Sequence, residues 1–207
     1  MTARYAVREP RQERTRVAWQ RILDAGVAVL EDEGAGGFTI DAICARASVV
    51  PRAVYDRVDT KEALFYAVYE HGMQRVQHTE GHLEAIAHQD VPPAARIHAT
   101  VQALAQAFVD NERFLRAVVL VSSQDPEIER RGVQYVARLS ARFAAALHPA
   151  RPAMRHSDPD AAIRWIFGDL FAALTLRTAY GPTFFGPAHT DGQHLEHLCA
   201  LARAFLL

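Results

Sequence analysis

The chain has 207 residues, half of them hydrophobic, and a formal net charge of −1. This excludes a disordered polyelectrolyte and gives no overall electrostatic signature of nucleic-acid binding. No apolar run approaches the roughly 20 residues needed to span a bilayer, and the first residues lack a signal-peptide core, so a cytoplasmic protein with no membrane partner is expected.

The charge is unevenly distributed. Residues 1–21 carry Arg4, Arg8, Arg11, Arg14, Arg16 and Arg21 against Glu9 and Glu13, a local balance of +4. Such an arm suits tracking phosphates or entering a minor groove, although a solvated tail explains residues 1–10 equally well. Residues 11–33 form the first predicted helix. Ala18, Ile22, Ala25 and Val29 repeat at three and four, and Gly34, Gly36 and Gly37 end it.

Residues 39–61, TIDAICARASVVPRAVYDRVDTK, organise the N-terminal part. Ile40, Ile43 and Cys44 line one face of a short helix, which the hydroxyl of Thr39 can cap. A second short helix begins at Pro51, a residue suited to a first helical position, with Val54 and Val58 as its apolar stripe. Asp59 and Glu62 read as the start signal of the next helix, with Lys61 in its first turn. Two short helices and a tight turn, followed by a helix with exposed basic residues, outline a helix-turn-helix reader of DNA.

The helix beginning at residues 59–61 carries Leu64, Phe65, Val68, Tyr69, Met73 and Val76 and is predicted to run to Ala87, with Gly72 and Gly81 as weak points. Pro92-Pro93 marks a boundary. Helices are then predicted over 94–110, 112–122, from Pro126 through Leu147, and over 160–180 and 191–205, with residues 148–159 as a loop. Asp125-Pro126 is a cap and first-turn signal, and Gly181-Pro182 a stop. The fold class is all-α, with about nine helices and no strand-like alternation. Residues 1–60 form a three-helix helix-turn-helix domain with a basic arm, and 61–207 form a larger helical domain.

The stretches RILDAGVAVLEDEG and FTIDAICARASVVPRAVYDRVDTKEAL resemble the N-terminal domain of the tetracycline-repressor (TetR) family of transcriptional regulators. The resemblance is carried by Ile22-Leu23, Ala25, Gly34, Thr39, Ile43, Ala47, Val49, Tyr55, Val58, Lys61 and Leu64. Two departures stand out. Ser48 occupies the usual turn glycine, costing about 1 kcal/mol in a left-handed conformation, and Val50 replaces a frequent capping serine worth about 1 kcal/mol.

The resemblance implies a DNA-binding regulator, in particular a homodimeric repressor released from double-stranded operator DNA by an unidentified small-molecule effector. It implies neither an enzyme nor a cofactor. Thr39, Tyr55 and Lys61 match positions that touch phosphates, groups that fix register without reading sequence. Arg52, Ala53 and Arg57 suit base reading, since Arg pairs bidentately with guanine and an alanine methyl packs on thymine. Asp56 can accept from cytosine or hold Arg52 in place.

The resemblance also implies a mostly apolar effector cavity in the second domain. Tyr69, Met73, Phe108, Tyr135 and Trp165 are candidate walls, and Arg96, His98, Gln102 and Arg138 candidate polar contacts. Each aromatic taken alone is an ordinary core residue. The helices over 160–180 and 191–205 are implied to pair with their symmetry mates as a four-helix bundle. Phe167, Gly168, Phe171, Ala172, Leu195 and Leu198 are the candidate dimerisation residues.

The rival reading is a helical metal-binding protein or enzyme using the histidine pairs His78/His82 and His194/His197. Neither pair has an obvious Cys or carboxylate completing a site. No metal, phosphate loop or nucleophile elbow is therefore predicted. Cys44 and Cys199, one per domain, read as small core residues.

Overall fold

The computed structural model describes residues 7–8, 13–79, 81–184 and 186–207, apart from the side chain of Arg14. The chain order is α1 (Glu13–Glu33), a 3-10 turn (Ala35–Gly37), α2 (Ile40–Ala47), α3 (Pro51–Tyr55), α4 (Lys61–Thr79), α5 (Gly81–Ala87), α6 (Pro93–Asp110), α7 (Glu112–Ser122), α8 (Pro126–Leu147), a 3-10 turn (His148–Ala153), α9 (Pro159–Tyr180) and α10 (Asp191–Leu206). No strand occurs among the described residues.

The helix starts follow local chemistry. Thr39 Oγ1 accepts from Ala42 N at 3.2 Å, Asp125 Oδ1 from Glu127 N at 2.9 Å, and Asp158 Oδ1 from Ala161 N at 2.9 Å. Thr190 and Gln193 close a reciprocal capping box. One start signal is corrected. Thr60, not Asp59, caps α4, its hydroxyl accepting from Ala63 N at 3.1 Å, while the Asp59 carboxylate is taken by Arg8.

Of the helix expected to run to Ala87, α4 and α5 are described on either side of residue 80, which lies outside the described residues; α4 packs on α1 and α5 on α8 and α6. The expected loop over 148–159 contains the 3-10 turn, with Ala150 buried.

Ile22, Leu30, Ile43, Val54, Val58 and Leu64 close the N-terminal core, and Leu104, Phe114, Leu139, Phe143 and Leu147 lie in the C-terminal one. The two are continuous. A Cβ at Gly72 on α4 would stand 2.2 Å from Cζ of Phe114 on α7, so the ring occupies space that only glycine leaves open. Asp32 at the end of α1 is paired both with Arg46 of α2 and with Arg113 of α7, which holds its carboxyl below the usual range. Glu31 pairs with Arg75 of α4.

Arg96, an expected effector contact, is buried and clamps the chain. Its guanidinium donates to the carbonyls of Ile86 (2.5 Å), Ala146 (3.3 Å) and Gln89. Its guanidinium is thus taken by backbone carbonyls at or just beyond the ends of α5 and α8. Cys44 and Cys199 are free and buried, as small core residues should be.

Candidate nucleic-acid interface

Helices α2 and α3 are joined by Ser48 to Val50. Ser48 adopts the left-handed conformation (φ 53°, ψ 50°), and Val49 N–H donates to Cys44 O at 3.0 Å. This non-glycine residue closes the turn at the steric cost expected for a Cβ in that region. Val50 is extended and gives α3 no side-chain cap, so Pro51 starts the helix alone. Burial of Val54 and Val58 against the core fixes which face of α3 is outward.

That outward face carries Arg52, Tyr55 and Asp56, all exposed, with Ala53 and Arg57 half-buried. Exposed Thr39 lies at the start of α2 and exposed Lys61 in the first turn of α4. Thr39 Oγ1 uses a lone pair for its cap, so its hydroxyl hydrogen remains available to a phosphate oxygen. Among the described residues Arg52 and Lys61 make no ion pair. The expected Arg52–Asp56 brace is not formed. Their contact is between backbones, Asp56 N–H donating to Arg52 O at 2.9 Å, because α3 ends at Tyr55 and Asp56 caps it.

Arg57 is differently placed from Arg52. Its Nη1 donates to the carbonyl of Arg8 at 3.2 Å, so its guanidinium is directed to the arm. Of the basic arm, Arg4 and Arg11 lie outside the described residues, as does the side chain of Arg14. Arg16 is held by Glu13 at 2.7 Å on its own helix, which offsets its charge locally.

The expected effector residues do not converge. Tyr69, Met73, Tyr135 and Arg138 share one shallow polar hollow with Glu70 and Arg131, about 160 Å³ in volume. Burial and the neighbouring Glu70 push the Tyr69 phenol up to about 12. Phe108 lines a separate cavity of about 390 Å³ with Glu112, Leu174, Arg177, Thr178, His194 and Leu195. His98 faces α10, with Nε2 3.9 Å from Glu196, while Gln102 is exposed on α6. Trp165 is 71 % exposed on α9, since its position on the helix turns it away from the core.

The dimerisation candidates also divide. Gly168 and Ala172 are exposed on the same side of α9 as Trp165, an outward stripe that adds apolar surface to a helix already apolar inward. Phe167 and Leu198 instead belong to the chain's own core, Phe167 lying 5.4 Å from the Phe143 ring. Phe171 is half-buried between the rings of Phe108 and Phe167, and Leu195 is a cavity wall. Leu201 and Phe205 on α10 are exposed as well, a placement that periodicity does not give, since it does not say which side of a helix faces out. Asp32 and Thr60 were missed, and Arg8 was read only as a member of the basic arm. Only Thr60, a hydroxyl before a helical run, left a readable signal.

The described residues contain no group of three or more His, Cys, Asp and Glu side chains placed to hold a metal ion. None of their helices is long and apolar enough to cross a membrane.

Comparison with known proteins adds to this geometry. Residues 22–68 match the family model described as bacterial regulatory proteins, tetR family. No curated protein matches the chain. Among solved structures, a candidate TetR-family transcriptional regulator from Mesorhizobium loti MAFF303099 is 17 % identical with a TM-score of 0.71, over 94 % of this chain and 97 % of that one. A TetR transcription regulator from Haloarcula marismortui ATCC 43049 is 18 % identical with a TM-score of 0.70, over 91 % and 96 %. A bacterial regulatory protein in the tetR family from Rhodococcus RHA1 is 21 % identical with a TM-score of 0.61, over 91 % and 96 %. At such identities the structural likeness is one of fold.

Proposed function

Since the chain carries the DNA-binding domain of the tetR family and is a DNA-binding transcriptional regulator of that family, we propose that it acts as a homodimeric repressor. In this reading it occupies a two-fold-symmetric operator, from which a small molecule releases it. The observation that carries the DNA-contact assignment is the outward surface of α3, where Arg52 stands exposed, without an ion pair among the described residues, on the same short helix as exposed Tyr55. Arg52 is the base reader and Lys61 a phosphate contact. Half-sites about 34–36 Å apart fit such a dimer.

In titrations against operator variants, Arg52→Ala should cost roughly 1–3 kcal/mol and relax preference at one base pair. Lys61→Ala should weaken binding to every sequence and lower the salt slope by about one. Equal effects of both changes on all sequences would rule the assignment out.

The effector site supported best is the cavity around Phe108. At about 390 Å³ it falls in the range of small-ligand sites, whereas the hollow around Tyr69 does not. Its walls combine apolar Phe108, Leu174 and Leu195 with Thr178 and the Nε2 of His194, which is buried without a partner. With Gln106, Glu112, Arg177 and Asp191 also on its walls, the cavity suits an apolar body bearing polar groups.

The cavity wall residue Glu112 directly precedes Arg113, whose guanidinium pairs with Asp32, itself paired with Arg46 beside the turn. A ligand that shifts the start of α7 therefore acts on the DNA-reading unit through that ion bridge, and α4 ties the two domains along its length. A coupling of about 1–3 kcal/mol is typical, and linkage makes it reciprocal. Operator DNA should weaken effector binding by the same factor as effector weakens DNA binding. Equal effector affinity with and without operator would mean that the molecule binds without switching.

A further inference from the structure

The recognition helix is short of support at its beginning. It spans five residues, starts without a side-chain cap, and follows a turn that holds Ser48 in the left-handed region. Five residues cannot sustain a helix by their own hydrogen bonds. What holds its other end comes from far away in the chain. Arg8 Nη1 donates to Tyr55 O at 3.0 Å, and Arg8 N–H donates to Arg57 O at 2.9 Å. In return Arg57 Nη1 donates to Arg8 O at 3.2 Å, and the Arg8 guanidinium pairs with the Asp59 carboxylate.

We propose that Arg8 and Arg57 form a reciprocal clasp that holds α3 in its DNA-reading pose from its C-terminal end, making Arg57 a positioning residue rather than a base reader. The chemistry suits the place. Carbonyls at a helix end carry partial negative charge and lack intrahelical donors, and a cation there satisfies both. One guanidinium offers donors in several fixed directions, so Arg8 reaches a carbonyl and a carboxylate together, which the single ammonium of a lysine does poorly. The ion pair with Asp59 is exposed on both sides and contributes little alone. The clasp therefore rests on the bonds to and from backbone, in which Arg8 joins Tyr55 and Arg57 at one helix end, so that each bond holds the others in place.

The test measures operator affinity for Arg8→Ala, Arg57→Ala, the double variant and Arg8→Lys, in the full chain. Amide hydrogen exchange across residues 51–58 is measured in the same proteins without DNA. The clasp predicts about tenfold weaker binding to all operator variants for either single change, the worth of one or two net hydrogen bonds. It further predicts a double variant no weaker than the singles, faster exchange at residues 56–58, and only partial recovery in Arg8→Lys.

A simple phosphate contact by Arg8 would lower the salt slope by about one yet leave exchange in the DNA-free protein unchanged, and that result overturns the proposal. So does additivity of the two changes together with relaxed preference at one base pair in Arg57→Ala, the behaviour of a base reader. Faster exchange with unaltered affinity would leave the clasp a local fastening without a part in DNA binding, and overturns it too.

Discussion

Replacing Phe114 by alanine is expected to lower the free energy of unfolding by about 3–5 kcal/mol, measured by urea or thermal denaturation. The ring is fully buried and stands where a side chain at position 72 would be. Its loss leaves a cavity between α4 and α7 that the flanking helices cannot close without moving apart or together. The converse change should also be costly. Gly72→Val places atoms inside the ring volume, so either Phe114 leaves its position or α4 lifts away from α7, with a penalty of about 1–3 kcal/mol or more. Combining Gly72→Ala with Phe114→Leu should recover part of the loss, because the two residues share one space. A cost below about 1.5 kcal/mol for Phe114→Ala would show that this contact does not fasten the two helices. Operator affinity should fall even for protein that remains folded, since α4 bears Lys61 at one end and packs on α7 farther along.

The second large effect separates the two faces of the terminal helix pair. Ala172 is exposed on α9 one turn beyond Gly168, so Ala172→Glu leaves an isolated chain able to fold. In the dimer proposed above the carboxylate would lie unpaired inside the interface, at a cost of several kcal/mol. Sedimentation should show a monomer of unchanged helical content with greatly weakened operator binding. Leu198→Glu should behave differently. Leu198 is 2 % exposed within its own chain, so a carboxylate there disrupts the fold before any interface is in question. An Ala172→Glu protein that still sediments as a dimer would place the interface elsewhere.

These contrasts mark what was legible in the residues. Thr39, Pro51 and Asp125-Pro126 are local signals. A hydroxyl or carboxylate at a cap and a proline in a first turn act on amides two or three residues away, so the sequence is sufficient to read them. The face of α3 was legible for the same reason, because Val54 and Val58 must turn inward and thereby turn Arg52 outward. Non-local partnerships were not. Gly72 reads as a weak point in a helix until Phe114, 42 positions later, is seen to fill its place. Arg96 reads as a polar ligand contact until the carbonyl of Ala146, fifty positions later, is found around it together with those of Ile86 and Gln89. Trp165 and Phe167 are both apolar members of one helix, and only the path of α8 beside it decides that Phe167 meets Phe143 while Trp165 faces out.

The two cysteines have a practical consequence. Burial and nearby carboxylates push both thiols up, Cys199 to about 11, and the thiolate is the reactive form. In the native chain both sulfurs are thus chemically quiet, and an alkylating reagent must wait for the polypeptide around them to open. Cys44 is enclosed by the operator-reading unit and Cys199 by the terminal bundle, one label for each. Their separate modification rates act as two clocks in one molecule, timing the fraying of each half without any introduced probe.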